Sequence, residues 1–503
     1  MQEAVVTNNS RQAAWIALGN FCSFLIGIVT PMILSRYFTK ADYGTYKQVI
    51  YVYDTLLVVF TLGLPRTYSY YLPKRPLNQS KQIIQKITNI LFVLGVTFSL
   101  VLFWGATPIS KLLKNDDLVI ALRLFSPTPL FLLPTLGLEG IYAAYKKTQY
   151  VALYSVGTRV FTIVCIVLPV VVFNGTYLHA VLGFVVASFI SFLLAMYMKT
   201  APVKNQPKDN TDIKYKDILR FSLPLFYASI WGLIVSSSNQ FFISRYYGNA
   251  VFADYSNGFI QNPLVGMVVG GVSVILLPVF SALNKDNNEK DLKSTLSVWQ
   301  SSLIKSSKFV FPILVFSIVF ANLLMICMYG NLYSDSAIYF QVRNASALLQ
   351  IIPFAPIILA IGKTREYANV HLFYAILVVL FEYVAVILIN NPIAVAIVSE
   401  ICRIISILLQ INIIARHFNL KISSLFPTRV LGKVLLVSLL AAIIPSLFVP
   451  ILSLNKFVLL FVCLVLYVAS FYLLCWPFKL SYKEIAASFL KSPRLSFLFK
   501  LIP

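Results

Sequence analysis

Long apolar runs, separated by short packets of basic and polar residues, limit this chain to few kinds of structure. Runs of about twenty residues or more have the length that an α-helix needs to cross the hydrocarbon core of a bilayer. Fourteen such helices are predicted, near residues 12–36, 43–72, 83–107, 117–143, 149–173, 177–198, 219–245, 250–282, 297–327, 336–361, 367–389, 392–415, 430–450 and 456–477. The sequence therefore predicts an all-α polytopic membrane protein.

The composition excludes a soluble alternative. Of the 503 residues, 59% are hydrophobic and 12% are charged, against roughly 45–50% and about a quarter in soluble domains. The net charge of +23 raises the possibility of a nucleic-acid binder. Such a protein clusters its basic residues on a few polar faces, whereas here they are spread between apolar runs, so no nucleic-acid partner is expected.

The basic residues also predict the orientation. If residue 1 lies in the cytoplasm, the inner segments hold 29 of the 41 Lys and Arg residues, the outer segments hold 6, and the spans hold 6. This bias follows the positive-inside rule. We therefore expect an even number of spans and both termini in the cytoplasm.

Two stretches of the chain carry the same motif. Residues 34–44 contain Leu-Ser-Arg-Tyr-Phe and Ala-Asp-Tyr-Gly, and residues 243–256 contain Ile-Ser-Arg-Tyr-Tyr and Ala-Asp-Tyr-Ser. Arg123 in the fourth span matches Arg343 in the tenth as a second anchor. Because each repeat holds six spans, the two copies should share one orientation, as in transporters with parallel repeats.

The repeat and the composition together predict a domain plan. A stretch rich in Lys, Asp, Asn and Pro separates the repeats and is typical of a linker. The basic, partly apolar tail fits either an amphipathic segment on the anionic inner leaflet or a solvated tail. The predicted divisions are an N-lobe (1–200), a cytoplasmic linker (201–218), a C-lobe (219–416), two extra helices (417–478) and a basic amphipathic cytoplasmic tail (479–503).

With Gly-Leu-Pro at 63–65 and the basic inner loops, these motifs resemble the polysaccharide-exporter branch of the multidrug/oligosaccharidyl-lipid/polysaccharide (MOP) superfamily. This branch contains the O-antigen and capsule-repeat flippases, and the lipid II flippases are more distantly similar. The resemblance covers essentially the whole chain. It implies a V-shaped pair of lobes in the bacterial cytoplasmic membrane that moves a polyprenyl-diphosphate-linked oligosaccharide outward by alternating access. The implied partners are that glycan, membrane lipids, a polysaccharide polymerase and glycosyltransferases.

Charged side chains at membrane depth are the candidate substrate site, because they are costly unless they are paired or face a wet cavity. A diphosphate needs such a cavity lined by Arg and Lys. Lys47, Tyr51 and Asp54 are spaced to share one helical face. The full candidate set is Arg36, Lys47, Tyr51, Asp54, Arg123, Arg159, Arg245 and Arg343. Hydrogen bonds or ion pairs inside a lobe are the alternative role for each of these residues.

Four charges near the predicted outer ends form a candidate gate. Crossed pairs of Arg36 with Asp254 and of Arg245 with Asp42 could hold that end closed. The alternative interpretation is that both aspartates act as N-caps of the next helix.

Two acids inside predicted spans are candidates for ion coupling. Glu139 and Glu382 have no evident partner in the sequence and could carry a proton if burial raises their pKa; a structural role is the alternative. Glu400 and Arg403 are three residues apart and are expected to form an internal ion pair. No cofactor is expected, and coupling to an H⁺ gradient, a Na⁺ gradient or the membrane potential stays open.

The chemistry of an enzyme is missing. The six cysteines lie inside apolar spans without a paired Cys-x-x-Cys spacing, so neither a disulfide framework nor a metal site is indicated. No outer loop is long enough for the acceptor chemistry of a polymerase or glycosyltransferase. An ion-coupled drug exporter of the same superfamily, or a lipid II flippase, remains the alternative, although six deep bases against four deep acids favour an anionic substrate.

Overall fold

The computed structural model describes residues 2–204, 210–283, 289–452 and 454–483. Every regular element among them is helical, which confirms the all-α prediction. The chain divides into two compact units, Met1–Ala253 and Asp254–Pro503. Residues 205–209 of the predicted linker and 484–503 of the predicted tail lie outside the described residues.

The first unit contains nine complete helices and most of a tenth. The helices are α1 (Gln2–Tyr37), α2 (Lys40–Thr61), α3 (Pro65–Tyr71), α4 (Leu77–Leu113), α5 (Leu118–Phe125), α6 (Thr128–Leu132), α7 (Leu138–Ala144), α8 (Gln149–Phe173), α9 (Tyr177–Thr200) and α10 (Tyr215–Gly258). The boundary between the units falls within α10. The lobe limits suggested by the repeat stay a prediction.

The remaining helices belong to the second unit. They are α11 (Pro263–Leu283), α12 (Glu289–Val319), α13 (Ala321–Tyr329), α14 (Ser336–Ala347), α15 (Ala355–Ala360), α16 (Thr364–Leu388), α17 (Pro392–His417), α18 (Ile422–Leu425), α19 (Thr428–Ile451) and α20 (Lys456–Cys475). Short 3₁₀ turns occur at Leu72–Lys74, Leu133–Thr135, Ala201–Val203 and Asn331–Tyr333.

Eleven helices of the described residues are long and apolar enough to cross a membrane, or twelve if the bent α10 counts as one span. The eleven are Leu18–Tyr37, Lys40–Lys74, Asn78–Leu113, Leu118–Ala144, Gln149–Phe173, Tyr177–Val203, Lys293–Val319, Thr364–Leu388, Pro392–His417, Thr428–Ile451 and Lys456–Cys475. The predicted number of fourteen therefore exceeds what the described helices support by length and composition.

Both missing spans are interrupted by polar or proline residues. The predicted span 250–282 is broken before Pro263, and its apolar helix Pro263–Ser273 is short. The predicted span 336–361 is split into α14 and α15, with Pro353 in the gap, because the residue before a proline disfavours the helical conformation. An apolar count alone does not register such breaks.

The predicted spans 367–389 and 392–415 are joined by a very short turn, and the structure contains two separate helices there, α16 and α17. Asn390 takes a left-handed conformation (φ 47°), and Asn391 caps α17 by accepting a hydrogen bond from the backbone N–H of Ile393 at 2.8 Å. Pro392 occupies the first helical position, where its missing N–H costs nothing. Three residues thus end one span and begin the next.

Close helix contacts in the first unit depend on glycine. On α9, a Cβ added to Gly183 would lie 2.0 Å from the carbonyl oxygen of Cys165 on α8. Membrane helices approach closely where such small residues face each other, because lipid supplies no hydrophobic force between them. By contrast, a Cβ added to Gly157 on α8 would meet no atom within 4 Å.

The second unit has an aromatic core. The Trp299 ring is fully buried between Phe280 and Phe354, at centroid distances of 6.5 and 5.6 Å. The C-terminal helices pack on α12, where the Tyr467 hydroxyl donates to the carbonyl of Pro312 at 3.0 Å. The two helices predicted outside the repeat are therefore joined to the second unit.

Gly183→Ala is expected to lower stability, because the added methyl group meets a backbone carbonyl that cannot move aside. Overpacking of this kind costs about 1–3 kcal/mol. Gly157→Ala is the matched control and should leave the midpoint of thermal unfolding of the purified protein unchanged or slightly higher. Equal midpoints for the two variants would contradict the close α8–α9 contact.

Candidate functional site

A charged stripe on α2 is the first part of the candidate site. Val49, Val52 and Tyr53 bury one face of the helix, while Asp54 is exposed and Lys47 is half-buried. Asp54 lies within electrostatic range of Lys47 and also of Arg159 on α8. The structure thus brings together three of the predicted site residues.

The predicted role of Tyr51 differs from its observed contact. Its hydroxyl donates to the carbonyl oxygen of Ser237 on α10 at 3.2 Å, and its ring packs against Phe252 with centroids 5.7 Å apart. Tyr51 therefore joins α2 to α10 through the interhelical hydrogen bond that the sequence allowed as the alternative.

Arg159 lines a cavity of about 430 Å³ enclosed by α1, α6, α8 and α9. Its Nε donates to the carbonyl oxygen of Ser23 at 3.4 Å. A Cβ on Gly27 would lie 3.3 Å from the guanidinium, so that glycine leaves room for it. The cavity lining is otherwise neutral and includes Asn20, Ser23, Tyr154, Ser155, Thr158, Thr162, Ser188 and Ser191.

Three hydroxyl groups of the lining are satisfied locally. Thr158 and Thr162 each donate to a carbonyl one turn earlier in α8 at 2.7 Å, and Ser188 does the same in α9. Such bonds allow hydroxyl side chains to lie at membrane depth without an unpaired donor. The cavity therefore combines a strong cation with neutral polar groups.

The arrangement favours a negatively charged group. Lys47 and Arg159 outnumber Asp54, so the trio has a net charge of +1 when all three are ionised. An Arg guanidinium grips phosphate oxygens in a bidentate manner, and Lys acts as a point charge. The excess of positive charge is suited to an anionic group.

Other predicted site residues lie elsewhere in the first unit. Arg36 is exposed and donates to the carbonyl of Met32 in its own helix. Arg123 is exposed, lies 3.5 Å from the Thr107 hydroxyl and stacks over Phe103, both on α4. These contacts do not bring the two arginines to Arg159.

Arg245 makes a different contact from the one proposed for the gate. It donates to the carbonyl of Leu112 at the end of α4 and lies over the Tyr246 ring at 5.6 Å. Asp42 is held by Thr39, whose hydroxyl donates to the carboxylate at 2.8 Å. Within the described residues, the pairing of Arg245 with Asp42 is not observed.

Neither aspartate is itself an N-cap, so that alternative interpretation is wrong. Thr39 caps α2 and accepts a hydrogen bond from the N–H of Asp42, which lies in the first turn. Asp254 lies inside α10, is 7% exposed and accepts a hydrogen bond from the Ser336 hydroxyl at 3.2 Å. A pairing of Arg36 with Asp254 stays a prediction.

A neutral network joins α2 to α10 near the predicted outer end. Gln48 donates to the Ser244 hydroxyl at 2.7 Å. Asn115 donates to the side-chain oxygens of Gln48 and Thr45 at 2.5 and 3.0 Å, and Asn249 donates to Thr45 at 3.2 Å. A search for ionisable residues does not find this network, because its members are neutral. The sequence pattern that indicates it is the occurrence of amide side chains beside the repeated motif.

Glu400 is the centre of a buried charge network in the second unit. It accepts from Arg343 at 2.8 Å and from Arg403 at 2.7 Å, and the Ser346 hydroxyl also donates to it. The predicted Glu400–Arg403 ion pair is confirmed. Arg343, a predicted cavity residue, directs its guanidinium at Glu400 and remains 23% exposed.

The two candidate coupling acids have different environments. Glu382 on α16 is fully buried, and Tyr255 lies within electrostatic range of both Glu382 and Glu400. Glu139 on α7 is exposed. Burial was the reason for considering both residues, so that reason holds for Glu382 and fails for Glu139.

Lys199, in the last turn of α9, is buried. The residue is 1% exposed. Its ammonium group donates to the Tyr68 hydroxyl at 2.9 Å and to the carbonyl of Leu136 at 2.7 Å.

Among the described residues, no cluster of three His, Cys, Asp or Glu side chains could hold a metal ion.

A helical bundle with eleven or twelve candidate spans and a charged cavity within one unit has the architecture of a membrane transporter. The solved structure of lipid II flippase MurJ in an inward closed conformation has a TM-score of 0.68 at 15% identity, covering 93% of this chain and 98% of that chain. An inward-facing multidrug resistance MATE family transporter of the MOP superfamily has a TM-score of 0.64 at 12% identity, covering 78% of this chain and 95% of that chain.

A MOP superfamily transporter from Pyrococcus furiosus, described as having a binding pocket of reverse polarity, has a TM-score of 0.53 at 13% identity, with 82% and 96% covered. No curated protein matches the chain. Residues 10–284 match the model of the family described as Polysaccharide biosynthesis protein. The chain belongs to that family, and its fold is that of the MOP superfamily structures. The resemblance seen in the sequence is confirmed.

Glu400→Gln is expected to destabilise the protein, because it removes the buried carboxylate that two half-buried arginines share. Removing one partner of a buried pair costs about 3–5 kcal/mol. The matched control is Glu366→Gln, which breaks the exposed Lys363–Glu366 pair and should cost about 0–1 kcal/mol. Thermal unfolding of both variants measures the difference, and similar losses would show that Glu400 is not the centre of the network.

Proposed function

We propose that the chain is a flippase that moves a polyprenyl-diphosphate-linked oligosaccharide from the inner to the outer leaflet of the bacterial cytoplasmic membrane. The observation that carries this proposal is the polar cavity lined by Arg159, together with Asp54, which lies within electrostatic range of both Arg159 and Lys47. Membership of the polysaccharide biosynthesis family supports a glycan as the cargo. O-antigen or capsule repeat units are the proposed class.

The charge of the head group is the main argument. A diphosphate that leaves water must exchange its hydration for fixed positive groups, since an unpaired charge in the membrane costs about 2.5–3.5 kcal/mol even on insertion scales. Arg159 and Lys47 supply two such groups, and the serine and threonine hydroxyls of the lining offer hydrogen-bond partners for sugar or phosphate oxygens. The lipid chain would remain in the hydrocarbon outside the cavity.

Alternating access between an N-lobe and a C-lobe is the proposed transport cycle. In this proposal α11 and the α14–α15 pair complete fourteen crossings, so both termini lie in the cytoplasm as the positive-inside count requires. Arg36, Asp42, Arg245 and Asp254 stay candidates for rearrangement at the outer end. Arg123 and Arg343 stay candidates for contact with the cargo at other stages. A polymerase and glycosyltransferases are the proposed functional partners.

An ion-coupled drug exporter is the second candidate, favoured by Asp54. This acid lies deep in α2 and is exposed, so it could receive an organic cation. The two functions differ in which charge of the same cluster they require. Cation export depends on Asp54, whereas diphosphate transport depends on Lys47 and Arg159.

Reconstituted protein should move a fluorescent polyprenyl-diphosphate oligosaccharide between liposome leaflets. Arg159→Gln and Lys47→Gln should each slow translocation by about tenfold or more, because each removes a charge-assisted interaction with phosphate. Arg159→Lys should retain part of the activity. The measurement is the rate at which the labelled glycan reaches the opposite leaflet.

The exposed inner-turn variant Arg365→Gln is the matched control and should transport like the wild type. Asp54→Asn should also keep flipping lipid-linked glycan. If the wild type moves no lipid-linked glycan and instead exports an organic cation in a manner abolished by Asp54→Asn, the flippase proposal is wrong and the exporter is supported.

Glu382 is the proposed site of proton coupling. Glu382→Gln should remove the acceleration of transport by an imposed proton gradient while gradient-free exchange of the glycan across the membrane continues. Glu139→Gln, which changes an exposed acid, should keep both activities. A Glu382→Gln variant that still responds fully to the gradient would leave Na⁺ or the membrane potential as the driving force.

A further inference from the structure

Helix α8 has a membrane-facing ridge that no part of the proposed transport cycle uses. Tyr150, Leu153, Val160, Val164 and Leu168 are 47–72% exposed along it. A long, exposed stripe without charges is typical of a surface in contact with lipid.

Two grooves flank the same end of this ridge. The α8–α9 groove has a volume of about 530 Å³ and includes Gly157, Leu194 and Tyr197. The α1–α8 groove has a volume of about 500 Å³ and includes Trp15, Leu18 and Cys22. Tyr150 and Leu153 line both grooves, so they form the wall between them.

The polar groups in the floor of the α8–α9 groove are satisfied. The Tyr142 hydroxyl donates to the carbonyl of Met198 at 3.0 Å, and the Tyr154 hydroxyl donates to the carbonyl of Ser191 at 3.3 Å. The rings are left as an apolar floor. Gly157 keeps the groove open, because a Cβ there would meet nothing within 4 Å.

A cation lies at the mouth of this groove. Lys147 lines it and is exposed, and Lys146 beside it is also exposed. Within the described part of the chain, the Lys147 side chain has no hydrogen bond or ion pair. Both lysines belong to a turn that the positive-inside pattern assigns to the inner membrane surface, where anionic head groups attract basic residues.

We propose that the two grooves together bind one anionic diacyl phospholipid, with an acyl chain on each side of the Tyr150–Leu153 ridge and the phosphate at Lys147. Two adjacent apolar grooves separated by one ridge match the two-chain form of a diacyl lipid. A polyprenyl phosphate has one chain, much longer than either groove, and would leave the second groove unused. The inference is independent of the proposed function.

Native mass spectrometry of the delipidated full-length protein tests the assignment. Dioleoylphosphatidylglycerol should bind more tightly than dioleoylphosphatidylcholine, which has the same chains without net charge. Lys147→Ala should weaken phosphatidylglycerol binding about fivefold, as expected for one lysine near an anionic surface, and leave phosphatidylcholine unchanged. Lys421→Ala, another exposed lysine, is the matched control.

Filling the groove provides a second measurement. Gly157→Phe should abolish the tight binding of either diacyl lipid, whereas Gly432→Phe, at an exposed helix position with equally open space, should not. Lysophosphatidylglycerol, with one chain, should bind more weakly than the diacyl lipid. Equal affinity for the two head groups, or displacement of phosphatidylglycerol by polyprenyl phosphate, would overturn the proposal.

Discussion

The cost of leaving a polar group unpaired in hydrocarbon governs this structure. Backbone N–H and C=O groups at membrane depth must find partners inside the protein, which explains why the described elements are helices. Where the helical path is broken before Pro263, Asn262 and Asn344 supply the missing bonds: the N–H of Asn262 donates to the side chain of Asn344 at 3.0 Å, and Asn262 donates to the Ser317 hydroxyl at 2.7 Å. The break is tolerated because amide side chains replace the backbone hydrogen bonds that the interrupted helix lacks.

The cost of an unpaired charge at membrane depth is met differently in the two compact units. In the second unit, Arg343 and Arg403 both contact Glu400 at hydrogen-bond distance, so these guanidinium groups are already engaged by a carboxylate although the trio keeps a net charge of +1. In the first unit, Arg159 and Asp54 are exposed and are coupled without direct contact. The charged groups of the two units therefore lie in unlike surroundings.

Many of these structural features could be predicted from the sequence, because a helix that crosses a membrane requires a long run of apolar residues. Twelve of the predicted spans, the charged face of α2 and the Glu400–Arg403 pair follow from run length and helical spacing. The apolar runs do not form continuous long helices where Pro353 and Asn262 interrupt them, since hydropathy does not detect a break in the helical backbone. The burial of Lys199 and the Gln48–Ser244 contact depend on partners more than a hundred residues away, which local spacing does not specify.

The contact between α2 and α10 is made of neutral groups at very close range. A Cβ on Gly44 would lie 1.9 Å from the carbonyl oxygen of Asn249, and amides and hydroxyls, not ion pairs, fill the surrounding space. Dissolved ions screen exposed charges within about 10 Å at 0.1 M, but they have little effect on buried neutral hydrogen bonds. The strength of this contact should therefore depend little on salt concentration.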